Sequence, residues 1–313
     1  MTIRLAIVVP CYNEEEVLPE THRRLMALLA QLQAAAVVSP DSSVYFVDDG
    51  SKDGTWSLIE SLAKSDARVH GIKLAHNRGH QNALMAGLMS AEGDALVSID
   101  ADLQDDLGVI ESMIQAFRDD GTEIVYGVRD SRATDTFFKR ETAHLYYRLM
   151  RRMGVDLIYN HADFRLMSRR SVDALRQYDE VNLFLRGIVP LIGFKTGCVK
   201  YDRAERFAGE SKYPLRKMLA FAINGITSFS VVPLRLITFG GIVVSLLSFL
   251  MILYVLYGRL VMGTVIPGWA SSVIPVYLLG GIQLLSIGVL GEYVSKIYME
   301  TKRRPRYFIE RSL

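Results

Sequence analysis

Along the first half of the chain, short apolar runs rich in β-branched residues alternate with longer amphipathic stretches. Residues 3–9, 43–47, 69–74, 95–99 and 123–126 fit buried strands, while 15–33, 55–65, 81–91 and 107–119 carry the apolar repeat of helices. This rhythm predicts an α/β fold with a mostly parallel sheet covered by helices. Ligands of such sheets gather beyond the carboxyl ends of the strands, so the polar residues after each apolar run are where chemistry is expected.

The pattern changes near Pro233. Residues 236–257 contain no charged side chain, and a helix of about 22 residues can cross a hydrocarbon core of about 30 Å. A second uncharged stretch covers 260–291, interrupted by Pro267-Gly268, with 273–291 as its best spanning part. Two such runs joined by a Gly/Pro-containing loop predict a transmembrane hairpin rather than two buried helices of a soluble core. Arg216, Lys217 and Arg235 precede the first run, Lys296, Lys302, Arg303, Arg304 and Arg306 follow or end the second, and the connection carries only Arg259. The positive-inside tendency puts both ends in the cytoplasm. Two basic amphipathic stretches, 137–153 and 213–229, predict helices lying in the headgroup plane. The expected organisation is a cytoplasmic domain over 1–211, a juxtamembrane amphipathic helix over 212–230, two transmembrane helices over 231–298 and a cytoplasmic basic tail over 299–313.

Composition narrows the function. Lys+Arg 36 nearly balance Asp+Glu 34 for a formal net charge of +2, which argues against bulk nucleic-acid binding. Acidic clusters nonetheless concentrate in the first half, and basic residues gather around the hydrophobic C-terminal part. Cys11 and Cys198 are far apart and fit neither a disulfide framework nor a zinc spacing. The N-terminal apolar run is too short for an export signal and lacks a small-residue cleavage site, so the first half is expected to stay in the cytoplasm.

Three predicted strands end in polar clusters: Pro10-Cys11-Tyr12-Asn13-Glu14-Glu15-Glu16, then Val47-Asp48-Asp49-Gly50-Ser51-Lys52-Asp53-Gly54-Thr55, then Asp100-Ala101-Asp102-Leu103-Gln104-Asp105. Singly, each reads as helix caps, turns or a solvated loop. In one sheet they converge on one crevice. Carboxylates gathered this way repel unless a cation holds them, and the Asp-x-Asp pair suits Mg²⁺ or Mn²⁺. A metal held by one or two carboxylates also coordinates substrate phosphates, which points to a nucleoside diphosphate. The chain has neither G-x-x-x-x-G-K-S/T nor G-x-G-x-x-G, which weighs against kinase, ATPase and Rossmann dehydrogenase readings.

In this order and spacing the three blocks resemble family-2 glycosyltransferases of the GT-A fold. Later blocks narrow the likeness: Asp163-Phe164-Arg165-Leu166-Met167-Ser168, Asn182-Leu183-Phe184, the run from Arg203 through Arg206 to Lys212-Tyr213, Gly225-Ile226-Thr227-Ser228-Phe229-Ser230, Gly291-Glu292-Tyr293 and Lys302-Arg303-Arg304-Pro305. Over nearly its whole length the chain resembles polyprenyl-phosphate glycosyltransferases, most like bactoprenol glucosyltransferases and more distantly dolichol-phosphate mannose synthases. The resemblance implies metal-dependent, inverting transfer of a hexose, glucose from UDP-glucose being favoured, to undecaprenyl (polyprenyl) phosphate. It places that reaction at the cytoplasmic face of a bacterial inner membrane, in cell-envelope glycan modification such as that of O-antigen, and implies a homo-oligomer. GDP-mannose or a UDP-aminoarabinose derivative remains open as donor. A processive polysaccharide synthase is a further alternative, but the Gln-x-x-Arg-Trp motif and additional spans usual in those enzymes are missing. A sugar-nucleotide sensor without turnover is disfavoured by the retained acidic motifs and Asp163.

On the same resemblance, Pro10, Tyr12, Asn13 and Glu14 border the nucleoside, Asp49 reads base or ribose, Asp100 and Ala101 face the nucleotide, Asp102 ligates the metal, and Gln104 helps to hold metal or diphosphate. Arg129, Arg140, Arg206 and Lys212 fall at basic positions of the acceptor region, where guanidinium and ammonium groups suit a lipid phosphate. Asp163 falls where the family places a candidate catalytic base. It has other readings, as a partner fixing Arg165 or as a group orienting a cation or the sugar. A phosphate monoester has a second pKa of about 6, so the acceptor oxygen is largely ionised at neutral pH without a base.

Overall fold

A computed structural model describes residues 2–129, 161–181, 183–201, 226–228, 230–261 and 268–313. The first part follows the expected alternation: β1 (Leu5–Cys11), α1 (Leu18–Ala34), β2 (Ser43–Asp48), α2 (Thr55–Ser65), β3 (Val69–Leu74), α3 (His80–Ser90), β4 (Ala95–Ser98), α4 (Val109–Asp119) and β5 (Ile124–Arg129). Then come β6 (His161–Ser168), α5 (Arg169–Leu175), α6 (Leu185–Leu191) and β7 (Thr196–Tyr201). Two long helices, α7 (Val232–Leu260) and α8 (Trp269–Thr301), precede a last strand, β8 (Ile309–Ser312).

The strands form one sheet in the order β7-β5-β6-β4-β1-β2-β3-β8. Strands β4, β1, β2 and β3 run parallel. Strand β6 is antiparallel to both β4 and β5, and β7 is parallel to β5. Side chains alternate along β1 and divide the core in two. Leu5, Ile7 and Val9 pack with Leu25 and Leu29 of α1 and Ile110 of α4. Ala6 and Val8 pack with Leu84 and Leu88 of α3 and Ile188 of α6. With both faces covered, β1 and β2 are buried at every position, which is why they read as continuous apolar runs rather than alternating ones. This α/β architecture, with its parallel half and two C-terminal apolar helices, is the expected GT-A class.

Helices α7 and α8 present their apolar side chains outward, with Leu236, Phe239, Leu246, Leu284, Leu285 and Ile287 all more than half exposed. Water does not favour such continuous apolar surface. At 29 and 33 residues both helices are long enough to cross a bilayer, and neither is packed inside the protein as a core helix would be. Lipid therefore covers them, and the protein is membrane-associated. Helix α8 continues past Gly291, the end of the best spanning part, and past 298, the expected end of the transmembrane segment, to Thr301. Its last turns are tied inward. Tyr293 donates to the Ser230 carbonyl at 2.5 Å, Lys296 to Ser228 Oγ at 2.8 Å, and Glu300 accepts the Val181 amide at 2.8 Å.

The C-terminal segment, read from the sequence as a basic tail, ends in β8, which pairs antiparallel with β3 and closes that edge of the sheet. The Leu313 amide donates to the Gly71 carbonyl at 2.8 Å, and Glu310 and Arg311 pair with Lys73 and Glu60, each at 3.2 Å. The stretch 137–153, the candidate residues Arg140, Arg206 and Lys212, Asn182, and most of 213–229 lie outside the described residues.

Helix α3 approaches the sheet closely at Gly87, where a Cβ would stand 2.3 Å from Val8 Cγ1 and 2.7 Å from Val47 Cγ2. Gly87→Ala is expected to overpack this contact and lower stability by about 1–3 kcal/mol. Denaturant unfolding in detergent micelles measures it, and an unchanged midpoint would mean that α3 can back away from the sheet freely.

Candidate active site

The loops after β1 and β2 are locked together before any ligand arrives. The Asn13 amide donates to Ser51 Oγ at 3.0 Å, while Asn13 Oδ1 accepts the Lys52 amide at 2.9 Å. The Glu14 amide donates to Thr55 Oγ1 at 2.9 Å, and Glu15 accepts the Gly54 amide at 2.9 Å. Asn13 adopts φ +55°, a left-handed conformation that Asn tolerates in turns. The next link is Asp49, only 2% exposed. Its amide donates to the Cys11 carbonyl at 2.9 Å, and its carboxylate accepts the Arg78 and Gly79 amides at 2.7 and 2.8 Å. Gly50, at φ +69°, lies so near this loop that a Cβ would meet the Asn77 nitrogen at 2.6 Å. The effect is to fix the start of α3, and with it His80.

Antiparallel pairing of β6 with β4 delivers a residue from much later in the chain. Ser98 is opposite Arg165, so the beginning of β6 runs past the carboxyl end of β4, toward Asp100. The Ser98 hydroxyl donates to the Asp163 carbonyl at 2.5 Å. Asp163 Oδ1 accepts Arg165 Nη2 at 2.9 Å and Arg186 Nε at 3.3 Å, and its Oδ2 accepts Arg186 Nη2 at 3.1 Å. Arg165 is 1% exposed and lies inside the sheet layer, whereas Arg186, on α6, is partly open to the crevice. Helix α6 is held there by the Leu185 amide, which donates to Gln81 Oε1 of α3 at 3.0 Å. His80 completes the cluster, its Nε2 standing 3.3 Å from Asp100 Oδ1 and 3.9 Å from Asp163 Oδ2.

The two central carboxylates have opposite electrostatics. Burial would raise Asp163, but the Arg186 and Arg165 guanidiniums outweigh it and hold the group well below the usual carboxylate range. Its charge therefore contributes stability above the ordinary carboxylate pKa and loses it as pH falls toward the depressed value. Asp100 is pushed up to about 6, first by desolvation, with His80 opposing and the charges of Asp163, Asp105 and Asp102 adding to the rise. Here the contribution is fully present below about pH 4 and is lost as pH rises through about 6. A cation beside Asp100 would reverse that loss.

The sequence-derived candidates fall into distinct groups. Pro10 lies one residue before the end of β1 within the sheet, Tyr12 is exposed just beyond it, and Asn13 and Glu14 form the loop locked to the loop after β2. Asp49, expected to read base or ribose, accepts one amide of the β3–α3 loop on each oxygen, which ties that wall of the crevice to β2. Ala101 is buried and its carbonyl accepts Thr21 Oγ1 at 2.8 Å, while the Gln104 amide donates to Asp102 Oδ1 at 3.2 Å. Arg129 ends β5, two strands from β4, with its backbone paired to Tyr201.

Among the described residues no three His, Cys, Asp or Glu side chains gather as a ready-made metal cage. The donor set still fits a hard divalent cation of the kind that takes one or two carboxylates and fills its octahedron with water and phosphate oxygens. Partly exposed Asp102, with Asp100 beside it, offers that set. As a proton acceptor Asp163 is weak, because an ionised carboxylate saturated by two guanidiniums has little affinity for a proton.

His80 and Arg186 are functional candidates that the sequence reading did not select. His80 follows the carboxyl end of β3, and the strand-end rule could have flagged it. Nothing local distinguishes Arg186. Asp163→Asn is expected to leave Arg165 buried without its counter-charge, at a cost of about 3–5 kcal/mol. Arg186→Gln should cost less, because that side chain reaches water. Chemical denaturation in micelles compares the two, and an Asp163→Asn protein as stable as the parent would show that Arg165 needs no counter-ion.

Comparison with known proteins agrees with this geometry. The profile of glycosyl transferase family 2 matches residues 6–176. The glycosyltransferase YkoT of Bacillus subtilis (strain 168) is 54% identical over 308 residues, covering 98% of this chain and 91% of that one. A prophage bactoprenol glucosyl transferase homolog of Escherichia coli (strain K12) is 40% identical over 310 residues, 99% of both chains. An SfII prophage-derived bactoprenol glucosyl transferase of Shigella flexneri is 41% identical over 311 residues, 99% of this chain and 98% of that one. With a sheet whose strand ends converge acidic and basic side chains on one crevice, and with relatives aligned from end to end, the chain belongs to glycosyl transferase family 2 and is a glycosyltransferase.

Proposed function

We propose that the enzyme transfers a hexose, glucose from UDP-glucose being the favoured donor, to a polyprenyl phosphate at the cytoplasmic face of the membrane. The observation that carries this reading is the convergence of Asp100, Asp102, Asp163 and Arg186 on one crevice in a chain whose two long helices require lipid. Relatives named for bactoprenol as substrate align over nearly the full chain and support the acceptor class. The cytoplasmic placement is supported by Lys296 to Arg306 at one end of the hairpin and Arg235 at the other.

In this reading the loops after β1 and β2 border the nucleoside, with Tyr12 at the mouth and Asp49 holding the β3–α3 wall. Mg²⁺ or Mn²⁺ would be held by Asp102, with Asp100 and Gln104 adjacent, and supplies neutralisation of charge on the leaving diphosphate. Asp163 stays ionised and aims Arg186 into the crevice, where a guanidinium suits phosphate oxygens. The acceptor phosphate attacks the anomeric carbon as an already ionised nucleophile, so Asp163 acts as a positioning group and no proton need be removed. Arg129, Arg140, Arg206 and Lys212 are proposed to meet the lipid phosphate.

The direct test uses purified full-length enzyme, undecaprenyl phosphate and a panel of radiolabelled sugar nucleotides. Label should enter organic extracts with UDP-glucose, and Asp102→Ala should lower that transfer roughly a hundredfold or more. Failure of every donor to label lipid would reject the reading, and full turnover by Asp102→Ala would reject the metal assignment. The electrostatics of Asp100 add a pH test. Protons displace the cation as Asp100 is neutralised below about 6, so Mg²⁺ should raise the thermal midpoint more at about pH 7.5 than at about pH 5. Equal shifts at both would remove Asp100 from the cation's surroundings.

A further inference from the structure

A second basic site lies where the membrane helix enters the α/β domain. Directly after α8 the chain turns at Arg303, whose φ of +45° is a left-handed conformation rarely adopted by a residue with a side chain. That turn swings the chain toward α3 and α5 and encloses a cavity of about 510 Å³. Its lining carries Arg176, Arg303, Arg304 and Arg306 together with Asp179, while Met85 and Met89 of α3 lie at its base. Arg176 also meets Asp173 at 4.0 Å, and Arg306 interacts with Glu180. Arg306 donates to the Tyr178 carbonyl, and Arg176 to the Met89 carbonyl at 3.3 Å. Among the described residues the side chains of Arg303 and Arg304 have no ion pair or hydrogen bond, and both are exposed.

The depth of this cavity is set by α8. Val294, Ile297 and Tyr298 are exposed apolar surface up to the last turn, and the Lys302 ammonium sits 4.2 Å from the Tyr298 ring centre. An aromatic residue covered by a lysine at the end of a membrane-crossing helix marks the bilayer–water boundary. Arg303 and Arg304 follow that level directly along the chain, and Arg176 and Arg306 face the same cavity. A planar guanidinium pairs with phosphate in two parallel hydrogen bonds, and clustered basic side chains at this depth attract anionic lipid. Met85 is only 1% exposed and Met89 Sδ accepts Arg176 Nε at 3.4 Å, so the methionines form the floor beneath the arginines.

We propose that this cavity binds the phosphate headgroup of an anionic membrane phospholipid, at a site separate from the crevice around Asp100 and Asp163. The inference goes beyond the transfer reaction and depends only on α8 crossing the membrane. A free phosphate shares the headgroup's chemistry but has no requirement for a site at the end of a membrane-crossing helix, which favours the lipid.

The test is native mass spectrometry of the full-length protein in neutral detergent, given phosphatidylglycerol or phosphatidylcholine at equal concentration. The protein should retain phosphatidylglycerol in preference to phosphatidylcholine. Joint Arg303→Gln and Arg304→Gln substitution should weaken retention roughly tenfold or more. A charge-matched control, Lys64→Gln with Arg118→Gln, removes two exposed charges elsewhere and should retain lipid as the parent does. Because Arg303 and Arg304 are exposed and unpaired, the double variant should keep the parental thermal midpoint; should it unfold, Arg304→Glu alone gives the same reading. Equal retention by parent and variant, or equal retention of the two lipids, would overturn the proposal. So would displacement of phosphatidylglycerol by millimolar inorganic phosphate, which would mark a soluble phosphate ligand instead. Loss of sugar transfer with lipid retention intact would bear on the proposed reaction and leave this site standing.

Discussion

A guanidinium inside the sheet layer is the constraint around which the catalytic crevice is organised. Arg165 is almost wholly removed from water, a cost of several kcal/mol for any ion, and Asp163 is the charge that offsets it. Because Asp163 is committed to Arg165 and also holds Arg186, it remains ionised and its field extends to the end of β4. That field helps to raise Asp100, while His80 moderates it. A crevice with an excess of closely spaced carboxylates is primed to receive positive charge. Burial remains the main reason that Asp100 is raised, and the buried ion pair adds to it while setting the direction in which Arg186 points.

The crevice walls are built chiefly from backbone amides and short side chains rather than from apolar packing. Asn13, Ser51, Asp53, Thr55 and Asp49 exchange hydrogen bonds across three loops that are distant in sequence. Each bond contributes about 1 kcal/mol net, but an unmade one would leave a partly buried donor or acceptor at greater cost. The loops are consequently fixed relative to one another, and the carboxylates at their tips cannot spread apart to relieve repulsion. In the proposed reaction, preorganisation of this kind would let a cation and a diphosphate meet charges already in place.

The membrane part is joined to the catalytic domain at more than the chain connection. Glu300 near the end of α8 accepts an amide from the segment before α6, and β8 then pairs with β3 at the far edge of the sheet. A helix whose flanks are anchored this way transmits the plane of the bilayer to the α/β domain. For an amphiphilic acceptor, whose phosphate stays at headgroup level, a fixed distance between the crevice and the membrane surface matters as much as the chemistry inside the crevice. The basic cavity after α8 lies within this same junction and gives it a further means of registering on the lipid surface.

The sequence by itself determined the alternation from β1 to β5, the two membrane-length helices and the acidic motif around Asp100 and Asp102. Each of these is written in local periodicity or short-range spacing, the part of the folding information that survives without contacts. Strands β6 and β7 went unread, because β6 enters antiparallel and β7 lies on an edge where alternation is weak. Strand β8 is four residues long and carries Glu310 and Arg311, so in sequence it looks like a charged tail; only pairing with β3 makes it a strand. Asp49 shows the limit for single residues, since its motif placed it at the crevice but could not tell that both oxygens are occupied by amides from the next loop. The Asp163–Arg165 pair was readable two residues apart and His80 follows a strand end, but Arg186 and the meeting of all these groups depend on strand order, the register of β6 against β4 and the contact of α6 with α3. Those are long-range pairings, chosen by burial of two apolar faces and one charge, and no local pattern records them.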